Sequence, residues 1–310
     1  MLQRFEDFLE LLGSDLNLFR YSVMDLEQRY GERYRQDALL ILRKLEEFAG
    51  LHGETLADTV AFYSAYISQV AENRRLFRGT LMKGAIPQDR RFKLQYLYAL
   101  TLSTALNRSR YELFLDYRQT LATSVRSGIS ILEIGAGNCL DAQFASFYGK
   151  VRAYETNELS LAWRRFLDPD GEIDLSIAVY RFDEPRTYDL VTMIELLEHL
   201  EDPGACLANA ERVLRDDGLA YLTFAIRMPQ IDHHYNFMSI QECRDMLDAN
   251  GFTPIREQCL IDTYMPFEDK DRWRLAEAPE HAVIYCCLAG KNDSEASAEL
   301  LARFTEDIGG

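Results

Sequence analysis

At 310 residues the chain is longer than one small core requires, which points to one large domain or two ordinary ones. Hydrophobic residues make up 47% and charged residues 27%, and no apolar run approaches the length of a membrane span, so a globular protein is expected and a transmembrane helix is not. The net charge of −16 lies in the second part of the chain: residues 1–128 sum to +2 and the remainder to −18, which disfavours a nucleic-acid substrate because phosphate binding needs basic surface.

The N-terminus, MLQRFEDFLELLGSD, mixes acids with its apolar residues and has no small-residue cleavage site, so it does not read as a signal peptide. A cytoplasmic location is the default expectation. The six cysteines, Cys139, Cys206, Cys243, Cys259, Cys286 and Cys287, form no C-x-x-C pair. Zinc and a disulfide framework are therefore not expected.

The first ~125 residues read as successive helices. Phe5, Phe8, Leu9 and Leu12 keep helical spacing, as do Ala38, Ile41, Leu42, Leu45 and Phe48. GLHGET (50–55) breaks the pattern before a helix through Tyr63 and Tyr66, and KGAIPQD (83–89) breaks it again before FKLQYLYALTLSTAL. Within this part, residues 73–93 hold seven basic residues and one acid, a stretch suited to docking on the protein's own acidic half or to gripping an anionic partner. A last helix (108–126) feeds into the first strand, so Tyr111, Tyr117 or Arg118 is expected near any site at that strand's end.

From residue 129 β-rich runs alternate with helical segments: ISILEI, KVRAYE, IDLSIAVY, YDLVTMI, GLAYLTFA, TPIREQCLI and HAVIYCCLAG. That alternation predicts a mainly parallel sheet covered on both faces. Asp202-Pro203 reads as an N-cap with Pro at the first helical position, and Ser239 with Glu242 as a capping box before a helix ended by Gly251. The expected organisation is a helical N-terminal lid or substrate domain (1–128), an α/β domain (129–290) and a solvated tail with one short helix (291–310).

The chemistry-bearing stretch is ILEIGAGNCLDAQ (131–143). Ligands of open α/β sheets bind beyond the carboxyl ends of the strands, and glycines there let backbone approach a ligand closely. Gly135 and Gly137 follow the first strand, but Leu140 stands where a dinucleotide fingerprint has its third glycine, which weakens a pyrophosphate reading. The next strand ends in Glu155, 22 residues after Glu133, an acid placed to accept hydrogen bonds from ribose hydroxyls.

With these motifs in order, the chain resembles the class I S-adenosylmethionine-dependent methyltransferases over about residues 129–290. LEIGAG resembles the family's first motif, and YDLVTMIELLEHLEDPGACLANAERVLRDDGLAYLTF resembles its fourth strand, the following loop and helix, and the fifth strand. The resemblance implies a Rossmann-like seven-stranded sheet, mostly parallel with the last strand antiparallel, and S-adenosylmethionine as cofactor, leaving S-adenosylhomocysteine as product. It implies that Glu133, Gly135, Ala136 and Gly137 shape the pocket for the methionine moiety, that Glu155 and Thr156 hold the ribose, that Asp183 meets adenine and that Ile194 borders the sulfonium. Cys139 departs from the pattern, standing where many members have a third glycine.

On the acceptor side, Glu195, His199 and His233 are the candidate catalytic residues, with imidazole as the natural proton acceptor near neutrality. His234 and Tyr235, in the loop after the fifth strand, join Tyr117 and Tyr264 as candidate substrate contacts. Tyr264 belongs to a long insert (262–280) in which Phe267 and Trp273 are further candidate pocket residues. Glu198 and His199 with His233 or His234 have the ligand types for Mg²⁺ or Mn²⁺, but similar loops close metal-free relatives, and no metal is expected. The leading expectation is methyl transfer to the O, N or C of a small molecule in specialised metabolism, with a helical cap over the site and a possible homodimer. A metal-assisted RNA 2′-O-methyltransferase and a non-catalytic cofactor-binding subunit are the alternatives.

Overall fold

The computed structural model describes residues 2–13, 16–76, 89–261, 282–292 and 294–308. The described residues of the N-terminal part form helices: α1 (Phe5–Leu12), α2 (Leu16–Leu51), α3 (Leu56–Leu76), α4 (Arg90–Leu106) and α5 (Arg108–Ser124). The apolar stripes read from the sequence face inward: Phe5, Phe8 and Leu12 are buried, as are Ala38, Ile41, Leu42, Leu45 and Phe48. Helix α2 is broken at Gly31, whose φ of 53° and ψ of −131° are non-helical. Asp89 caps α4 by accepting from Phe92 N at 3.0 Å. Asn107 ends α4 and begins α5, its Oδ1 accepting from Ser109 N at 2.9 Å and from Arg110 N at 3.5 Å. That single capping residue fixes where the first turn of α5 points.

The rest of the chain forms one seven-stranded sheet in the order β3-β2-β1-β4-β5-β7-β6. Its strands are β1 (Ile129–Ile134), β2 (Gly149–Glu155), β3 (Ile173–Ile177), β4 (Tyr188–Met193), β5 (Leu214–Ile226), β6 (Phe252–Ile261) and β7 (Val283–Lys291). β7 pairs antiparallel with both β5 and β6, and the pairs from β3 to β5 are parallel. This is the α/β class and the inserted antiparallel last strand that the sequence predicted. The helices on the sheet are α6 (Leu140–Ala145), α7 (Leu159–Leu167), α8 (Pro203–Val213), α9 (Ile240–Ala249) and α10 (Glu295–Ile308). Strand order reverses between β1 and β4, so the crevice for a ligand opens at their carboxyl ends.

The helical part is joined to the sheet part by shared core. Leu159 and Trp163 of α7 lie in the same apolar cluster as Phe48, Leu97 and Leu102. Phe48 meets Trp163 edge-on at 4.8 Å between ring centroids, a contact worth roughly 0.5–1.5 kcal/mol beyond area burial. Helix α5 straddles the boundary: Tyr111 packs with the helical core, and Leu113, Tyr117 and Leu121 pack with the sheet.

The last segment departs from the solvated tail expected of it. Helix α10 lies against β5, β6 and β7, Ser297 is buried, and Leu300 packs on the sheet's core. The contact is close because β7 carries Gly290 there: a Cβ on that residue would fall 1.8 Å from Ser297 Oγ. Among the described residues no helix is long and apolar enough to cross a membrane.

Candidate functional site

A cavity of about 990 Å³ sits over the carboxyl ends of β1, β2 and β4, between the sheet and helices α3, α4 and α5. Its floor is the turn after β1. Gly135 (φ 76°) and Gly137 (φ 51°) occupy the left-handed region that favours glycine, and a Cβ on Gly135 would come 2.9 Å from Leu196 Cδ1. The N–H groups of Gly135 and Ala136 both donate to Tyr154 O, at 2.9 and 3.1 Å. Cys139 is also left-handed, at φ 55° and ψ 13°, and fully buried. Here the backbone adopts a conformation that glycine would take without strain, at a cost to cysteine of roughly 1–2 kcal/mol. Packing holds it: Trp163 Nε1 donates to Asn138 O at 2.6 Å, and Ser160 Oγ donates to Gly137 O at 2.8 Å.

Glu155 closes this end. Its Oε2 accepts from Gly137 N at 2.7 Å, and its Oε1 accepts from Thr156 N at 2.6 Å and Asn157 N at 3.0 Å. The carboxylate thus clamps the glycine turn to the end of β2. Below it lies Glu133, almost fully buried, whose Oε2 has no hydrogen-bond partner among the described residues. Burial, then the charges of Asp141 and Glu155, push its carboxyl well above the usual range. Burial raises Asp141 to about 6, against the pull of Arg110.

Past β2, Tyr154, Val179, Tyr180, Arg181 and Phe182 line the cavity. Tyr154 packs on Tyr180 at 4.5 Å and Tyr180 on Phe182 at 4.8 Å. Asp183, the expected adenine partner, is exposed and outside the lining. Strand β3 ends at Ile177, three residues short of the β-rich run read from the sequence, so the chain has turned out of the crevice by Asp183.

The other end of the cavity follows β4. Ile194 and Glu195 both line it. Glu195 is left-handed (φ 51°), its N–H donates to Thr223 Oγ1 at 2.7 Å, and its Oε2 pairs with Arg110 Nη1 at 3.3 Å. A 3₁₀ turn, Leu197–His199, comes next. The loop after β5 is pinned to it, because the N–H groups of His234 and Tyr235 donate to Glu198 O at 2.8 and 2.9 Å. His199 Nδ1 lies 3.0 Å from Asp232 O, and the His199 and His233 rings meet edge-on at 4.9 Å. Burial and the Glu195 charge push Glu198 up to about 8. Burial works against protonation of His199, but the carboxylates of Glu198 and Asp232 outweigh it and raise the imidazole.

Helices α3 and α4 supply the roof. Tyr63, Tyr66, Phe92 and Tyr96 face the cavity. Tyr96 Oη donates to Asp232 Oδ2 at 3.2 Å and Tyr66 Oη to Gln230 Oε1 at 3.4 Å, so the roof is tied to the loop after β5. Lys93 lines the cavity and pairs with Glu158 at 2.9 Å, a contact between the basic stretch and the acidic half. Residues 77–88 of that stretch lie outside the described residues.

Glu133, Gly135, Ala136, Gly137, Glu155, Thr156, Ile194, Glu195, His199, His233 and His234 therefore converge on one cavity. Two expected substrate contacts do not. Tyr117 is fully buried against Tyr221 (4.9 Å) beneath the cavity, and Tyr235 turns away, its Oη donating to Glu242 Oε1 at 2.9 Å. Tyr111 and Arg118 face α2 instead, both reaching Asp37. Tyr264, Phe267 and Trp273 lie outside the described residues. Arg110, Asn138, Asp141, Tyr96 and Asp232 line the cavity without having been singled out in the sequence. Of these, Asp232 had a signal, standing next to His233, and Arg110 had one in the Asn107 cap three residues before it.

A family model for the methyltransferase domain matches residues 106–257, from the end of α4 to the middle of β6. The match covers the glycine turn, Glu155, Glu195, His199 and His233. Over these residues the chain matches a methyltransferase domain, in keeping with the family its motifs resemble. A curated relative, the ubiquinone biosynthesis O-methyltransferase of Nitrosomonas europaea, is 23% identical over 107 residues, 33% of this chain and 46% of that protein. The match thus spans about half the relative's length. A solved phosphoethanolamine N-methyltransferase 2 of Haemonchus contortus, bound to phosphomonomethylethanolamine and S-adenosylhomocysteine, superposes with a TM-score of 0.50 at 14% identity, over 64% of this chain and 58% of that one. An S-adenosylmethionine-dependent methyltransferase of Mesorhizobium loti does so with a TM-score of 0.44 at 16% identity, over 58% and 97%. At these identities the likeness is one of fold.

The residues of the methyltransferase domain fit its cofactor class. The cradle at Gly135 is one a Cβ would obstruct, and the partnerless oxygen of Glu133 lies at the floor of an acid-rich cavity. Such a lining suits a ligand carrying a sulfonium and an ammonium.

Proposed function

We propose that the protein transfers a methyl group from S-adenosylmethionine to a small-molecule acceptor in specialised metabolism, in the cytoplasm. The observation that carries this reading is the two-ended cavity: the Glu155-clamped glycine turn at one end, Glu195, His199 and His233 at the other, and an aromatic roof over both. Bound at the first end, the cofactor supplies an electrophilic methyl on sulfur. Glu155 accepts a hydrogen bond from a ribose hydroxyl at the free site of Oε2 while keeping its hold on Gly137, since Thr156 and Asn157 occupy Oε1 and an ionised carboxylate has about four acceptor sites. Glu155, and Asp141 once it ionises above about pH 6, provide the negative field for the ammonium and sulfonium.

At the second end, Glu195, His199 and His233 orient the acceptor and draw off its proton. Tyr66, Phe92 and Tyr96 exclude water and hold the acceptor against the methyl group, so that positioning supplies much of the rate. The enclosed roof and the acidic second half favour a small acceptor over RNA. All six thiols are free, which fits a reducing compartment.

The test uses methyl-labelled S-adenosylmethionine with a metabolite extract and, in parallel, with total RNA. Label entering low-mass products supports the reading. Label confined to RNA, or protein-dependent label in neither, contradicts it.

A further inference from the structure

We propose that Glu198, His199 and His233 form a binding site for a divalent transition-metal cation at the acceptor end of the cavity. The inference deepens the methyl-transfer reading and rests on it for the identity of the cavity. It gives His199 and His233 their hold on the acceptor's oxygen and proton through a cation.

Three observations carry it. One donor atom from each of the three side chains lies within 4.8 Å of the other two. Ligands about 2.1 Å from a common ion stand roughly 3–4 Å apart, so small side-chain rotations complete the set. Second, Glu198 is 1% exposed, and its Oε2 has no hydrogen-bond partner among the described residues. A buried carboxylate oxygen left so carries the full cost of its desolvation, and a cation removes that cost. Asp232 Oδ1, beside the cluster, is in the same condition. Third, His199 is held as a metal-binding histidine is held. Its Nδ1 is 3.0 Å from the Asp232 carbonyl, which can only accept. The proton is therefore on Nδ1, and the Nε2 lone pair is left for a ligand.

The scaffold is rigid where it needs to be. Two backbone N–H groups of the loop after β5 donate to Glu198 O, fixing the His233 segment against the 3₁₀ turn, and Tyr96 anchors Asp232 from the roof. Two imidazoles and one carboxylate suit Zn²⁺, Co²⁺, Fe²⁺ or Mn²⁺ better than Ca²⁺ or Mg²⁺. Three protein ligands leave positions open toward the cavity, so the acceptor class is one that offers an oxygen to the cation. In the transfer the acceptor hydroxyl loses its proton to Glu195 and its oxygen forms the new O–CH₃ bond. The S–CH₃ bond breaks with its electron pair staying on sulfur.

The test titrates Co²⁺ into the chelator-treated full chain, with and without S-adenosylhomocysteine, following visible d–d absorption and calorimetry. One equivalent bound with d–d bands is expected. E198Q should weaken binding at least about tenfold, and the double variant H199A/H233A should abolish the bands. S-adenosylhomocysteine affinity should stay within about threefold in both variants, which shows that they are folded. Wild type without d–d bands overturns the proposal, as does undiminished Co²⁺ binding in the double variant. S-adenosylhomocysteine binding without Co²⁺ binding sinks the cation site alone. Absence of both sinks the methyl-transfer reading with it.

Discussion

Replacing Glu155 by Gln separates two jobs that one carboxylate performs. Its Oε2 receives the Gly137 N–H at 2.7 Å, and its Oε1 receives those of Thr156 and Asn157 at 2.6 and 3.0 Å. A carboxamide has one acceptor oxygen and one donor nitrogen. Its better orientation keeps the oxygen on Thr156 and Asn157 and sets the NH₂ against the Gly137 N–H. One part-buried backbone donor then loses its partner, at about 1 kcal/mol. In a chain of this size that lowers the melting temperature by roughly 2–4 °C per kcal/mol. The second loss appears on ligand binding. Ribose hydroxyls donating to a carboxylate make charge-assisted bonds, each worth about 1.5–3 kcal/mol net, and the amide offers only one weaker acceptor. The clamp loss acts with and without ligand, so one such ribose bond sets the change in affinity, roughly a 10–150-fold rise in the dissociation constant for S-adenosylhomocysteine. Calorimetry and a thermal melt on the same sample read both. A melting temperature that falls while the affinity stays within twofold would mean that Glu155 only clamps the turn, and the ribose assignment would be refuted.

Gly135→Val should abolish S-adenosylhomocysteine binding while leaving the circular dichroism spectrum unchanged, because the φ of 76° costs a non-glycine roughly 1–2 kcal/mol and the new side chain meets Leu196. Retained affinity would count against the glycine turn as the cofactor's cradle. Asp141, raised to about 6 by burial, contributes stability that is present below its unfolded value near 3.8 and lost as pH rises through 6. Asp141→Asn should therefore melt higher than wild type at pH 7.5, by at most about 3 kcal/mol, with the gap closing toward pH 4. Its cofactor affinity should lose the increase between pH 5 and 7 expected of wild type, since a cationic ligand selects the ionised carboxylate; equal pH profiles would exclude Asp141 from the site.

The sheet part was readable because each strand and its turn signal are local. Gly135, Gly137 and Glu155 sit at fixed offsets from strand ends, and a strand end fixes where a side chain points. Asp183 was misplaced by the same logic, because β3 stops at Ile177 and the aromatic packing of Tyr154, Tyr180 and Phe182 decides the path beyond it. Helix α5 shows another limit. Arg110 and Tyr117 are seven residues apart and share a face, yet two turns separate them by roughly 10 Å along the axis. Arg110 reaches the cavity and Tyr117 is sealed against Tyr221. Sequence spacing gives the face and leaves the depth open. The roof of Tyr63, Tyr66, Phe92 and Tyr96 had no local signal at all, since aromatic residues at helical spacing read as core until the long-range packing is known. The docking of the last helix was missed for a related reason: what allows it is Gly290 on a strand, a residue whose lack of a side chain becomes informative only when Ser297 is seen above it.

The central claim is that the cavity binds the methyl-donor cofactor at the glycine turn. Calorimetric titration of S-adenosylhomocysteine into the purified full chain tests it most directly. The account predicts one saturable site per chain, lost in Gly135→Val. A chain that binds nothing, or a Gly135→Val variant that binds as wild type does, would contradict it.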